Sequence, residues 1–321
     1  MIRSPVRRWI WIAIVVVIAI AAYAMVGDVS RVADRLGAFH WLAFVAAIAL
    51  AFGNYVVRFF RWMLYLKWQS VSVPIGDSAV VFGAGLSLSI TPGKLGELVK
   101  SYLLRELHDI PATQTAPVVV AERVTDLLAL LVLAVIGVAV YGVQTTVVIV
   151  AGGVVGFGLV LLAWPRPTRA LIDLATRPRF TARFREPLHD VYDGLVKLSR
   201  PSRLFIATAI AIPAWGLECI GFALIVNGFP GAHVDAGLAM MIYAATTIAG
   251  ALSFLPGGLG VTEGAMTILL VKSAQGVDQP TALDATLLTR LATLWFAVVL
   301  GLFLLGVARS RIAKRNRAPE S

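Results

Sequence analysis

The chain has 321 residues, 59% of them hydrophobic and only 14% charged, with a mean hydropathy of +0.83 and a formal net charge of +10. A soluble domain carries about a quarter charged residues, so this composition excludes a soluble globular protein and defines a polytopic membrane protein. One cysteine, Cys219, excludes a disulfide framework and a cysteine-based metal site, and the four histidines (His40, His108, His189, His233) have no second ligand at useful spacing.

In chain order, apolar spans are predicted at 9–26, 41–60, 116–140, 145–164, 203–228 and 283–306, each close to the roughly 20 residues that cross a bilayer. The first follows Arg3, Arg7 and Arg8 and ends in Ala22-Tyr23-Ala24, like a secretory signal. It is longer than a signal core, and Trp9 and Trp11 fit interfacial anchors, so it reads as an uncleaved helix. Shorter apolar pieces at 78–90, 98–104, 236–254 and 262–271 flank two runs of helix breakers. These are Thr91-Pro92-Gly93-Lys94-Leu95-Gly96-Glu97 and Leu255-Pro256-Gly257-Gly258-Leu259-Gly260, the second running on to Glu263.

With the N-terminus on the cytoplasmic side, 22 of the 28 basic residues fall on that side. They include Arg58, Arg61, Lys67, Lys100 and Arg105, nine between Arg166 and Arg203, and five between Arg309 and Arg317. Only Arg31, Arg35 and Lys272 fall outside, and Lys94, Arg123 and Arg290 lie within the membrane region. This positive-inside bias makes the net charge a report of orientation and excludes a nucleic-acid partner. Both termini are then cytoplasmic.

In that orientation the segments 78–90 and 97–105 are too short to cross, and form a re-entrant hairpin entering from the cytoplasm. The segments 236–254 and 262–271 form a second, entering from the other face. Lipid offers no water to a broken backbone, so such breaks persist only where protein or a wet cavity surrounds them. Pro92-Gly93-x-Leu95-Gly96 maps onto Pro256-Gly257-x-Leu259-Gly260 with an offset of 164, and Arg123 onto Arg290 with an offset of 167, a short insertion in the second copy. The predicted architecture is therefore all-α, a single transmembrane domain over 1–321 with six full spans and two re-entrant hairpins in an inverted-topology repeat. Its halves cover 41–164 and 203–306, joined by a basic linker, 165–202, and followed by a basic tail, 307–321. The linker holds an amphipathic helix around 187–198, and its basic residues suit either an anionic cytoplasmic leaflet or an ordinary positive-inside loop.

Ionisable residues within the membrane region are functional candidates by default. Lys94, Glu97, Arg123, Asp126, Glu263 and Arg290 are the predicted substrate contacts, with Pro92, Gly93, Gly96, Pro256, Gly257, Gly258 and Gly260 forming the tips. Arg290 has no acid within helical reach and must find its partner on another helix or in a ligand. The short helices Glu97–Leu104 and Val261–Leu270 follow the glycines, and their N-termini favour an anion. Thr91, Thr262, Ser87, Ser89 and Ser253 add hydroxyls. Against this stand five acids (Glu97, Glu122, Asp126, Glu218, Glu263) and only three cations, a balance that suits proton coupling or an amine-bearing headgroup as well as an anion. Glu218 and Glu122 are the candidate proton carriers. No catalytic residue, cofactor or metal is indicated: the chain holds no phosphate-binding Gly-rich loop with Lys-Ser/Thr and no nucleophile elbow.

Pro92–Lys100, Glu122-Arg123-x-x-Asp126 and Pro256–Gly264 resemble the lysylphosphatidylglycerol synthase membrane region, also called the flippase-like domain family, over nearly the whole chain. In bifunctional members of that family the membrane region is thought to move an aminoacylated lipid between leaflets, while a separate C-terminal domain makes it. The sequence runs only to Ser321, so the resemblance implies a stand-alone membrane region and gives no support for lysyl transfer. Some stand-alone members have been labelled glycosyltransferase-like or linked to polyprenyl-linked glycan assembly. The expectation is a translocase of the bacterial inner membrane moving a phospholipid, aminoacylated lipid or polyprenyl-linked lipid. Three alternatives stay open: an accessory subunit presenting lipid to a separate lipid-modifying enzyme, an ion-coupled small-solute transporter, and a membrane-embedded transferase. Oligomeric state has no sequence signature here.

Overall fold

The computed structural model describes residues 29–141, 164–178 and 181–316, with Ile149, Gly152, Gly153, Gly156, Phe157 and Val160 between the first two stretches. The predicted spans 9–26 and 145–164 therefore lie outside the described residues, apart from those few positions and Trp164. Every extended regular element among the described residues is helical. They are α1 (Val29–Ala38), α2 (Trp41–Trp68), α3 (Ile75–Leu86), α4 (Val99–His108), α5 (Ala112–Tyr141), α6 (Pro165–Ala175), α7 (Arg185–Leu198), α8 (Pro201–Asn227), α9 (Ala236–Leu252), α10 (Val261–Ser273), α11 (Gln279–Arg290) and α12 (Phe296–Arg315). Tight 3₁₀ turns at Pro92–Leu98 and Pro256–Gly258 join α3 to α4 and α9 to α10.

The chain is thus an all-α polytopic membrane protein, with a correction to the span count. Three described helices, rather than six, are long and apolar enough to cross a bilayer: Trp41–Trp68, Pro201–Asn227 and the continuous Gln279–Arg315. The last joins α11 to α12 through a π turn at Leu291–Trp295. The predicted span 116–140 is present as part of the 30-residue α5. Glu122, Arg123 and Asp126 of α5 carry the charge network described below, and from Leu127 to Tyr141 the helix is free of charged residues. A second correction concerns α2. It continues past residue 60 to Trp68, so Arg58 and Arg61 lie inside a 28-residue helix and are buried, not at a cytoplasmic end.

The helix–break–helix units fold back on themselves. At the open end of the first, His108 Nε2 of α4 lies 3.1 Å from Asp77 Oδ2 of α3. Arg311 and Arg315 of α12 pair there with Asp77 and Asp109. The second closes through paired backbone bonds, His233 N–H to Gln275 O at 2.8 Å and Gln275 N–H to His233 O at 3.0 Å. These open ends lie at opposite ends of α2, about 42 Å long at 1.5 Å per residue. Gln69, just past α2, accepts from Gln114 Nε2 near the first; His40, just before it, donates to Gly228 O near the second. The two tips meet in the middle.

Packing is reciprocal. The helices α2 and α8 lie side by side, α3 packs on α12, and α9 packs on α5. Two glycines permit the closest approaches: a Cβ on Gly301 of α12 would lie 2.1 Å from Ser87 N, and one on Gly137 of α5 would lie 2.8 Å from Met241 N. The short insertion has a definite place. The offset is 165 at the ends of the return arms (His108, Ser273) and 167 at the next helix starts (Ala112, Gln279), so the extra residues fall mainly in the loop 274–278.

Linker helix α7 covers 185–198, where an amphipathic helix is predicted, but it packs on α5 and buries Tyr192 and Leu198. Gln69 Nε2 donates to Gly194 O, tying it to the end of α2.

Replacing Gly301 with Ala should cost about 1–3 kcal/mol through overpacking against backbone that cannot move aside. Gly306→Ala, on the same helix with nothing within 4 Å of a new Cβ, should be neutral or mildly stabilising. Thermal unfolding of the two variants in one detergent checks the contrast.

Candidate functional site

Both tips use one backbone device. Thr91 and Leu255 are extended (φ −69°, ψ 151° and φ −72°, ψ 149°), as residues before proline must be. Pro92 and Pro256 start each turn, and a left-handed pair follows: Gly93 and Lys94 (φ 58° and 55°) in one tip, Gly257 and Gly258 (φ 61° and 66°) in the other. Lys94 therefore holds a conformation that costs a non-glycine residue about 1 kcal/mol or more, at the position where the second tip has glycine.

Between the tips lies a cavity of about 320 Å³. Its wall includes Arg58 of α2, Lys94 of the first tip, Arg123 and Asp126 of α5, Trp215 and Glu218 of α8, Tyr243 of α9, Gly257 and Gly258 of the second tip, and Arg290. The π turn after Arg290 brings Thr293 and Leu294 to the same wall, and Tyr55 Oη donates to Thr293 O at 2.7 Å. Phe254 and Leu255 line the cavity while being 69% and 44% exposed, and Leu95 and Leu291 are exposed close by in sequence to the tips and the π turn.

Asp126 is the centre of the charge network. Arg61 Nη2 donates to its Oδ1 at 2.6 Å and Trp215 Nε1 to the same oxygen at 3.1 Å. Arg123 Nη2 lies 3.0 Å and Arg58 Nη2 3.8 Å from Oδ2. Neither of those two approaches has hydrogen-bond geometry, so Nε and Nη2 of both Arg58 and Arg123 are buried without a hydrogen-bond partner in the protein. Lys94 Nζ and the Arg58 guanidinium sit 5.4 and 5.9 Å from the Trp215 ring centroid, a cation–π arrangement.

Behind this wall a second cluster ties the first tip to α5. Lys100 Nζ donates to Glu122 Oε2 at 2.5 Å and Glu97 Oε2 at 3.2 Å, and Arg123 Nη2 lies 3.4 Å from that Glu97 oxygen. Ser89 Oγ donates to Glu97 Oε1 at 3.1 Å. The stem of Lys100 runs where a Cβ on Gly85 would sit. In the second half Arg290 clamps its own tip, donating from Nε to Glu263 Oε1 at 2.7 Å and from Nη2 to Gly257 O at 2.5 Å.

The structure thus brings Lys94, Arg123, Asp126, Arg290, Glu218, Gly93, Gly257 and Gly258 to one cavity. Glu97 and Glu263 stand behind it, paired to the two arginines, and Glu122 is fully buried against Lys100. Pro92, Gly96, Pro256 and Gly260 shape the turns without lining the cavity. Sequence reasoning missed Arg58, Arg61, Lys100, Trp215 and Tyr243. Lys100, predicted at the cytoplasmic surface, is 1% exposed. With Arg58 and Arg61, also buried, it raises the cations of the membrane region from three to six against the same five acids, so the charge balance no longer argues against an anion.

At the predicted helix N-termini some backbone donors already have partners in the protein. In the first tip the turn passes into α4 without a break, with Leu98 already α-helical, and Thr91 Oγ1 accepts from Gly96 N–H at 2.7 Å. In the second, Glu263 Oε2 accepts from Gly260 N–H at 2.6 Å. Ser87, Thr91 and Ser253 donate to backbone carbonyls in their own turns. Among the described residues no group of three or more His, Cys, Asp or Glu side chains is arranged to hold a metal ion.

Removing Lys100 strands the buried Glu122 carboxylate and takes one of its partners from Glu97. Lys100→Met should destabilise the protein by about 3–5 kcal/mol. Adding Glu97→Gln and Glu122→Gln should restore part of that loss, as thermal melts of the purified variants will show.

Residues 10–301 match the family described as the lysylphosphatidylglycerol synthase TM region. A UPF0104 membrane protein of Methanothermobacter thermautotrophicus is 25% identical over 313 residues, covering 89% of this chain and 91% of that protein. With a family match across most of its length, the chain belongs to the flippase-like lysylphosphatidylglycerol synthase transmembrane-region family.

Proposed function

We propose that this protein moves lipids with negatively charged, phosphate-bearing headgroups between the leaflets of its membrane, through the cavity between the two tips. The observation that carries the reading is the chemistry of that wall. Four cationic side chains (Arg58, Lys94, Arg123, Arg290) face two carboxylates (Asp126, Glu218), and two of the guanidiniums keep unpaired nitrogens. Each charge held in the hydrocarbon layer costs about 2.5–3.5 kcal/mol on insertion scales, so guanidinium nitrogens left there without a hydrogen bond are kept for a ligand of opposite sign. The rim supplies the rest of the argument. Exposed Phe254 and Leu255 give acyl chains an apolar place to lie while the headgroup passes, and a pathway sealed for small solutes would have no use for them.

In this reading the two folded-back units are re-entrant hairpins of an inverted-topology repeat, with halves 41–164 and 203–306 and both termini cytoplasmic. Reciprocal packing, the shared left-handed pair and open ends at opposite ends of α2 support it. Translocation then consists of partner exchange. A headgroup phosphate takes the free nitrogens of Arg123 and Arg58, weakens the hold of Arg123 on Glu97, and lets the first tip move against the second. Arg290 does the same for the other side by releasing Gly257 O and Glu263. Rocking of one half on the other exposes the site to each leaflet in turn.

Proteoliposomes containing fluorescent phosphatidylglycerol, read by dithionite quenching, test the transport. The protein should accelerate leaflet exchange over protein-free vesicles, and Arg123→Gln should slow it about tenfold or more, the worth of a charged hydrogen bond. Lys94→Gly should separate function from stability: relief of the left-handed strain raises the melting temperature, while transport falls with the lost charge. The reading fails if the protein leaves exchange of this acidic probe unchanged, or if both variants match the wild type.

Topology has its own test. In a Cys219→Ala background, Ser199→Cys and Gln275→Cys should react with impermeant maleimide from opposite faces, Ser199 from the cytoplasm. Labelling of both from one face would remove the inverted repeat.

A further inference from the structure

The helix α6 has a face that nothing else in the described structure explains. It begins at Pro165, directly after Trp164, where the apolar stretch of the sequence from 145 ends. Its principal neighbour among the described elements is α7, and the contact is polar. Arg169 Nη2 meets Asp193 Oδ1 at 2.8 Å, and Asp173 Oδ1 receives Arg185 Nε at 2.8 Å and His189 Nε2 at 2.9 Å. The hydrogen bonds from His189 and then Arg185 hold the Asp173 carboxyl below its ordinary range. At 3.6 residues per turn the side of α6 opposite Arg169 and Asp173 carries Leu171, Leu174 and Ala175. Leu171 and Leu174 are more than half exposed, and Trp164 is exposed at the head of the helix.

A short helix that spends its polar side on a neighbour and turns leucines outward invites a covering surface. Three observations select that surface. First, position: α7 is bonded to Gln69 at the end of α2, so α6 lies where the long helices finish, at the level of a membrane–water boundary. Second, charge: Arg166 of α6, and Arg177 and Arg183 after it, are exposed and absent from every ion pair among the described residues. Third, residue type: a tryptophan at the head of the helix and leucines with flanking arginines are the composition of helices that lie in the plane of an acidic interface.

We infer that α6 is an interfacial anchor, lying on the acidic-lipid surface of the membrane that the protein occupies, with Leu171 and Leu174 among the acyl chains and Arg166 and Arg177 on the headgroups. The linker between the halves is then a second lipid-binding element, distinct from the cavity and independent of whether the protein transports lipid. It resists being pulled away from the bilayer and gathers acidic lipid beside the open end of the first helix–break–helix unit, because each arginine near such a surface contributes about 1 kcal/mol of attraction.

The full chain carries the test. In a Cys219→Ala background, Ala175→Cys is labelled with nitrobenzoxadiazole, and the protein is reconstituted into vesicles of phosphatidylcholine alone or mixed with phosphatidylglycerol. Both sets contain a lipid with a nitroxide on its acyl chain, and a label at Asp190→Cys on α7 serves as the aqueous control. The expected result is quenching at 175 and not at 190, stronger in the acidic vesicles. Arg166→Glu or Arg177→Glu should each lower the quenched-to-unquenched ratio about fivefold or more. Equal quenching at 175 and 190, or indifference to both acidic lipid and the arginine changes, overturns the inference. So does a disulfide between two copies through Ala175→Cys, which would assign the face to a second protein molecule.

Discussion

The structure depends on one constraint: charges placed where water is scarce must find each other across the bundle. Asp126 shows how far this reaches. A single carboxylate gathers Arg61 and Arg58 from α2, Arg123 from its own helix and the indole of Trp215 from α8, and so ties together three helices that share no sequence neighbourhood. Apolar contact alone would not fix their rotation, since lipid is as apolar as leucine and supplies no hydrophobic drive between helices. A buried ion pair contributes little net stability, yet breaking one is costly, which makes such a network a strong selector of one arrangement. The close approaches at Gly301 and Gly137 are the packing answer to an arrangement that the charges specify.

The same constraint explains why the two tips share a backbone and differ in chemistry. Each needs a proline to stop the incoming helix and a left-handed pair to reverse the chain. In the second tip glycine meets that requirement at both positions, and the tip is held from outside by Arg290 on the Gly257 carbonyl. In the first, Lys94 occupies the second left-handed position at a conformational cost, with its ammonium over Trp215 and no hydrogen bond to the protein among the described contacts. Strain retained at a position where glycine would do is explained by what the side chain offers to the cavity. Two tips of like backbone thus present unlike electrostatic surfaces.

Much of this was legible in the letters, and the failures have a common cause. Helix breakers act locally, so the Pro-Gly runs could be placed, and their repeat noticed, without knowing what surrounds them. Arg290 could be assigned a partner on another helix because its own helix offers none, and Glu263 is that partner. Arg58, Arg61 and Lys100 were misplaced because position along a helix was judged from hydropathy. A basic residue near the end of an apolar run looks interfacial unless the helix is known to continue to Trp68, or the acid that neutralises it is known. Lys100 has Glu97 three residues away, but its closest partner, Glu122, is 22 residues away and the carboxylate partner of Arg58 and Arg61 is more than 60, separations that only the folded structure closes.

That mismatch between local appearance and long-range pairing bears on how one set of residues can serve both fold and ligand. Arg61 and Lys100 are sealed from the cavity and committed to Asp126 and to Glu97 with Glu122; they are structural and hold the acids in place whatever enters. Arg58 and Arg123 face the cavity, approach the same acids at poor angles and retain free nitrogens. An anion arriving there leaves Asp126 bonded through Oδ1 to Arg61 and Trp215, and leaves Glu97 bonded to Lys100 and Ser89. The two inner cations therefore make the two outer arginines dispensable to the network for as long as a ligand is present. A site built with Arg58 and Arg123 alone would have to choose between holding its helices and holding its cargo. The doubled set removes that choice, and it accounts for six cations among these helices where the counting of apolar segments leads one to expect three.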